Sequence, residues 1–175
     1  LGVSKYHSGT SIFLSPRTGK KNWSHIVWMD EVGLDDVAEV GGKNASLGEL
    51  IGGVGKKGVR IPGGFIITAA AYDYVLEKND LHGFIQRTLK GFNVNNVKEL
   101  AHRGKKIRDA IIAAKLPPSL AGEIVMGYRE MEKKYGKNVD VAVRSSATAE
   151  DLPDASFAGQ QETYLGIRGA DAVLK

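Results

Sequence analysis

The pattern that most constrains this chain lies in residues 139–168. Val139, Val141 and Val143 alternate with Asp140, Ala142 and Arg144. A period of two is what an extended strand with one buried face produces. The valines are expected in the core, which sends Arg144 to the opposite face. A loop of small and polar residues follows, and a second strand is expected at 163–167. An arginine at a strand exit, followed by residues small enough to let backbone N–H groups approach a ligand, suits an anion. Within the loop, Ser156-Phe157-Ala158-Gly159-Gln160-Gln161 places Phe157 as an anchor and Gly159 where backbone donors stay open. The competing reading of Arg144 is a surface ion pair with Glu150, Asp151 or Asp154.

Upstream, helices alternate with short apolar runs. Ile26-Val27-Trp28-Met29 reads as a buried strand, followed by an acidic stretch from Asp30 to Glu39. A helix is expected from Asn44 or Ala45, with Asn44 as N-cap and Leu47, Leu50, Ile51 and Val54 as its apolar stripe. Phe65-Ile66-Ile67 is a strand, and Thr68 can cap the helix after it. Residues 81–92 and 96–114 read as helices, the second with Val97, Leu100, Ile107 and Ile111 at helical spacing. Pro117-Pro118 stops one helix and opens another, whose face is Leu120, Ala121, Ile124, Tyr128, Met131 and Tyr135, closed by Gly136. Ala170 to Lys175 begins a further helix. Residues 1–25 show no period and are read as an extension; residues 26–175 are read as one truncated α+β domain with helices packed on a small mixed sheet.

The 175 residues hold no cysteine, which excludes disulfides, thiolate chemistry and cysteine zinc sites. No apolar run reaches the roughly 20 residues needed to cross a bilayer, so a cytoplasmic protein with no membrane partner is expected. The net charge is +4, and most basic groups read as solvated helix faces. His7, His25, His82 and His102 are scattered without metal-ligand spacing, and Glu150-Asp151 reads as a solvated pair, so no metal site is expected within the chain. Only 7% of residues are aromatic and there is no stacking motif, which argues against a nucleic-acid partner.

Gly41-Gly42-Lys43 precedes a helix and is a second candidate phosphate site, through backbone N–H groups and a cation. It lacks the spacing of a Walker loop, and its local reading as an ordinary turn stays open.

Taken together, these segments resemble the N-terminal nucleotide-binding domain of the phosphoenolpyruvate synthase (pyruvate, water dikinase) family. Gly41-Gly42-Lys43-Asn44-Ala45-Ser46-Leu47-Gly48-Glu49-Leu50, Ile61-Pro62-Gly63-Gly64-Phe65, and Val143-Arg144-Ser145-Ser146-Ala147 through Gln160-Gln161-Glu162-Thr163 match its signatures in order. The resemblance covers residues 26–175. It implies an ATP-grasp-like fold, with Lys43 and Arg144 on the ATP phosphates and the loop bearing Gly159 and Thr163 closing over them. It also implies Mg2+ held by ligands outside this chain, a phosphohistidine on a separate domain, and pyruvate bound by domains that are missing here. None of the four histidines has the setting of the phosphocarrier, so no catalytic residue is assigned. Two related readings stand beside it: rifampicin phosphotransferases share the Ser-Phe-Ala-Gly-Gln-Gln loop, and pyruvate, phosphate dikinases resemble it less, their loop usually being rich in methionine. A reading from another class is a non-catalytic basic module that binds nucleotide or nucleic acid.

Overall fold

Alternating valines form the strand they predict. In the computed structural model, which describes residues 2–4, 25–55, 58–93, 95–148 and 162–175, the chain runs β1 (Gly2–Ser4), β2 (Ile26–Trp28), two 3-10 turns (Met29–Glu31 and Leu34–Asp36), α1 (Val37–Val40) and α2 (Gly42–Gly53). It continues through β3 (Gly64–Ile67), α3 (Ala69–Lys78), α4 (Leu81–Leu89), α5 (Val97–Ile112), α6 (Pro118–Tyr135), β4 (Asp140–Arg144), β5 (Thr163–Arg168) and α7 (Ala170–Val173). The class is α+β. The five strands form one sheet in the order β2-β3-β1-β4-β5. Where a mixed sheet was expected, each of the four ladders among the described residues is antiparallel. Gly2–Ser4, within the segment read as an irregular extension, pairs with both β3 and β4; a three-residue strand carries too short a pattern to be read from sequence.

Contacts divide the chain into two units, residues 1–71 with 119–175, and residues 72–118. The first holds the sheet. Its core joins Val27, Met29, Val32, Val40, Ala45 and Ile66, with Val37, Leu47 and Ile51 packed on them. Phe65 is fully buried, meets Trp28 edge-on at 5.9 Å between ring centroids, and lies under Gly127 of α6, where a Cβ would stand 3.0 Å from the ring. The predicted α6 face is the observed one, with Leu120, Ile124, Tyr128 and Met131 buried. Burying Tyr128 requires partners for its hydroxyl, and it has two: it donates to the Val139 carbonyl at 2.7 Å and accepts from the Gly169 N–H at 2.8 Å. That tyrosine thereby ties α6 to the start of β4 and the N-cap of α7. Thr68 caps α3 as expected, its Oγ1 accepting from Ala71 N–H at 3.3 Å, while its own N–H donates to the His25 carbonyl at 3.0 Å.

The acidic stretch is used locally. Glu31 accepts from the Trp28 N–H and Asp36 from the Gly33 N–H, closing the two 3-10 turns.

In the second unit, Leu76 and Leu81 are buried. Asn79 closes α3 by donating to Val75 O at 2.8 Å and exchanges two hydrogen bonds with the Lys115 backbone. Arg103 donates to the Thr88 and Lys90 carbonyls, pairs with Glu99 and lies over the Phe92 ring. One member of a basic cluster read as solvated therefore closes the end of α4. The apolar stripe of α5 is not a core face: Val97 is 73% and Leu100 44% exposed.

Candidate functional site

Strand β4 carries Val141 and Ala142 buried, with Val143 and Arg144 half-buried. The expected alternation holds for Val139 and Val141 but breaks after them, with Ala142 buried and Val143 only half-buried, and the β4–β5 ladder is irregular here on the β5 side. Val141 pairs with Ile167 and Val143 with Tyr164, so β5 spends one residue more than β4 over this step. Gly166, at φ +67°, takes the left-handed conformation such a bulge favours. Below the bulge the register pairs Arg144 with Thr163. Directly paired residues of an antiparallel ladder share a face, with Cβ atoms about 5 Å apart. Two of the expected site residues are thus brought side by side. The Arg144 Nε is buried and has no hydrogen-bond partner among the described residues. A buried guanidinium nitrogen without a partner is costly, and an anionic oxygen is one chemistry that would satisfy it.

The hairpin stem is closed just past this pair. Ser145 N–H donates to the Glu162 carbonyl at 3.0 Å, and Glu162 N–H donates to Ser145 Oγ at 3.0 Å. The exposed Tyr164 hydroxyl donates to the Glu162 carboxylate; that hydrogen bond and the carboxylate charge push the Tyr164 phenol above its ordinary pKa. Gly159, Phe157, Glu150, Asp151 and Asp154 lie outside the described residues.

The first signature arrives at the same place. Helix α2 begins at Gly42, two residues before the expected start, with Gly41 as its N-cap at φ +80° and ψ 154°. Asn44 is not the N-cap. It sits at the third helical position, 3% exposed, and its Nδ2 donates back to the Val40 carbonyl at 2.7 Å. The same carbonyl accepts from Ser146 Oγ at 3.4 Å, across 106 residues of sequence. The Gly41 turn is pressed against the loop after β4: a Cβ on Gly41 would lie 2.3 Å from Ser146 Oγ and 3.0 Å from the Ala147 carbonyl oxygen. Lys43 occupies the second helical position and is exposed.

The apolar stripe expected on α2 is borne out in part, with Leu47, Ile51 and Val54 half-buried and Leu47 and Ile51 packed on the core, but not at Leu50. Leu50 is 51% exposed, while Ala45 is fully buried; the buried face is Gly42, Asn44, Ala45 and Gly48. Gly48 is needed because a Cβ there would overlap the Val32 carbonyl at 2.4 Å. The helix approaches the chain by its backbone, which carries its N-terminus up to Ser146. Sequence reasoning missed Asn44 and Ser146 as partners, and no spacing could have revealed a contact between segments so far apart.

The Gly41 turn ahead of Lys43 and the loop after Arg144 thus meet beside the stem of the β4–β5 hairpin. Comparison with known families gives the class, a nucleotide-binding module. Residues 37–175 match the family described as pyruvate phosphate dikinase, AMP/ATP-binding domain, and the chain belongs to that family. Among its relatives, the phosphoenolpyruvate synthase of Aquifex aeolicus is 50% identical over 88% of this chain and 18% of the relative. That of Neisseria meningitidis is 50% identical over 86% of this chain and 19% of the relative, and that of Escherichia coli 44% identical over 85% and 19%. The chain spans about a fifth of the length of these curated relatives. Among the described residues no helix is long and apolar enough to cross a membrane, and no three His, Asp or Glu side chains gather to hold a metal ion.

Proposed function

We propose that this chain is the ATP-binding N-terminal portion of a phosphoenolpyruvate synthase. That enzyme turns ATP, pyruvate and water into AMP, phosphoenolpyruvate and phosphate through a phosphohistidine carried elsewhere in the polypeptide. In this reading Lys43 and Arg144 hold the ATP phosphates, Thr163, beside Arg144 in the ladder, contributes to the same grip, and Gly159, four residues earlier in the sequence, does so as well. The observation that carries the proposal is the contact of the Gly41 turn with Ser146 and Ala147. It joins the two segments that bear the cations, and a polyphosphate needs more than one cation at a fixed place.

Magnesium belongs to the proposed reaction, and the family resemblance puts its ligands in other parts of the full-length enzyme. The phosphocarrier histidine and the pyruvate site are assigned there as well. A cytoplasmic location is part of the proposal.

The reaction is followed by phosphorus NMR on the full-length enzyme and on the 175-residue chain. The full-length enzyme should form AMP, phosphoenolpyruvate and phosphate together, only with pyruvate present, and the 175-residue chain should form no phosphoenolpyruvate. ADP as the sole nucleotide product, or pyruvate-dependent AMP release by the short chain, would refute the assignment.

A further inference from the structure

The Val40 carbonyl closes α1 immediately before the Gly41 turn, and it is a shared acceptor. Asn44 Nδ2 donates to it at 2.7 Å and Ser146 Oγ at 3.4 Å. Asn44 is the residue after Lys43, and Ser146 is two residues after Arg144. Each candidate cation is therefore tied, through a near neighbour in the chain, to the same backbone atom. The missing Cβ of Gly41 lets the two segments touch at that atom.

From this we infer that Asn44 and Ser146 are positioning residues, which fix Lys43 and Arg144 relative to one another through the Val40 carbonyl. The inference rests on the reading of Lys43 and Arg144 as phosphate ligands. Lysine is a point charge on a long flexible stem, whereas arginine presents a rigid fork. A ligand that must satisfy both at once gains from any bond that fixes the lysine's backbone against the arginine's strand, because ordering is then complete before binding. Neither Asn44 nor Ser146 has to touch the nucleotide for this. Asn44, out of water and bonded within its own helix turn, fixes the α2 end of the tie; Ser146, half-buried on the loop, fixes the β4 end.

A plain structural role would act on the fold and weaken every ligand equally. Positioning acts on the phosphates alone and requires the cation it positions. The test is titration calorimetry on the full-length enzyme with ATP and with adenosine, for Ser146→Ala, Lys43→Ala, Arg144→Ala and the double variant Ser146→Ala/Lys43→Ala. Loss of one net hydrogen bond predicts that Ser146→Ala weakens ATP binding about 3- to 10-fold with adenosine binding unchanged. In the Lys43→Ala background the same substitution should cost less than about twofold, the non-additivity expected of coupled residues. Asn44→Ala should act in the same direction; because Asn44 is buried and this variant can lose its fold, Ser146→Ala carries the test. Equal losses for ATP and adenosine, full additivity with Lys43→Ala, or an unchanged ATP affinity overturns the inference. If Lys43→Ala and Arg144→Ala themselves leave ATP binding unchanged, the phosphate reading falls; if they weaken it and Ser146→Ala does not, only the positioning role falls.

Discussion

Replacing Gly41 by alanine probes the junction on which the site is built. The residue sits at φ +80° and ψ 154°, a region that only glycine adopts without strain, and holding another residue there costs roughly 1–3 kcal/mol. The added Cβ would also lie 2.3 Å from Ser146 Oγ and 3.0 Å from the Ala147 carbonyl oxygen. The serine hydroxyl can rotate away, at the expense of its bond to Val40. The carbonyl is backbone and can retreat only if the loop moves; such overpacking costs typically about 1–3 kcal/mol. The two terms together come to roughly 2–6 kcal/mol. For a protein of this size that lowers Tm by about 4–24 °C, read by circular dichroism on the chain. If the loop yields instead, the fold is kept and the loss appears as weakened ATP binding by the full-length enzyme. A Gly41→Ala variant with Tm within about 2 °C of the parent and unchanged ATP affinity would refute the close approach of the two segments.

Two glycines of α6 should respond in opposite directions. Gly122 is exposed with nothing within 4 Å of a Cβ, so Gly122→Ala should stabilise by about 0.5–1 kcal/mol, whereas Gly127→Ala meets the Phe65 ring at 3.0 Å and should destabilise by about 1–3 kcal/mol; urea unfolding measures both. Burial, aided by the charge of Asp30 and opposed by a backbone hydrogen bond at Gly63, raises the Tyr135 phenol above its ordinary value. The folded state therefore favours the neutral phenol. That contribution is fully present below the unfolded pKa of about 10 and is lost as pH rises through the folded one. Stability should fall above pH ~10, and Tyr135→Phe should flatten that fall; an identical alkaline profile for the variant would show that Tyr135 does not titrate against the fold.

Much of the site's frame was legible because short-range chemistry sets it. The existence of strand β4, the face of α6 from Leu120 to Met131, the Thr68 cap and the position of β5 each follow from a repeat or a capping residue confined to one element, although burial along β4 does not keep the valine alternation, since Ala142 is buried and Val143 only half-buried. What was not legible depends on tertiary contact. Asn44 has the composition of an N-cap, yet Gly41 can adopt a backbone that starts α2 earlier, and Asn44 turns back to Val40. Leu47, Leu50 and Ile51 repeat at helical spacing, and Leu47 and Ile51 do pack on the core, but Leu50 stays exposed and the buried positions include Gly48, where the Val32 backbone leaves no room for a side chain. Val97 and Leu100 repeat just as well on α5 and remain exposed; periodicity states which residues share a face, not whether anything covers it. The pairing of Arg144 with Thr163 required the bulge at Gly166, which one glycine in a strand does not announce.

The central claim is that Arg144 grips the phosphates of ATP, and calorimetry of the full-length enzyme carrying Arg144→Ala addresses it without relying on turnover. Removing charge-assisted hydrogen bonds worth about 1.5–3 kcal/mol predicts ATP affinity weaker by roughly 10- to 150-fold, with adenosine affinity and circular dichroism unchanged and Arg144→Lys in between. An Arg144→Ala enzyme that keeps its fold and binds ATP as tightly as the parent would contradict the account.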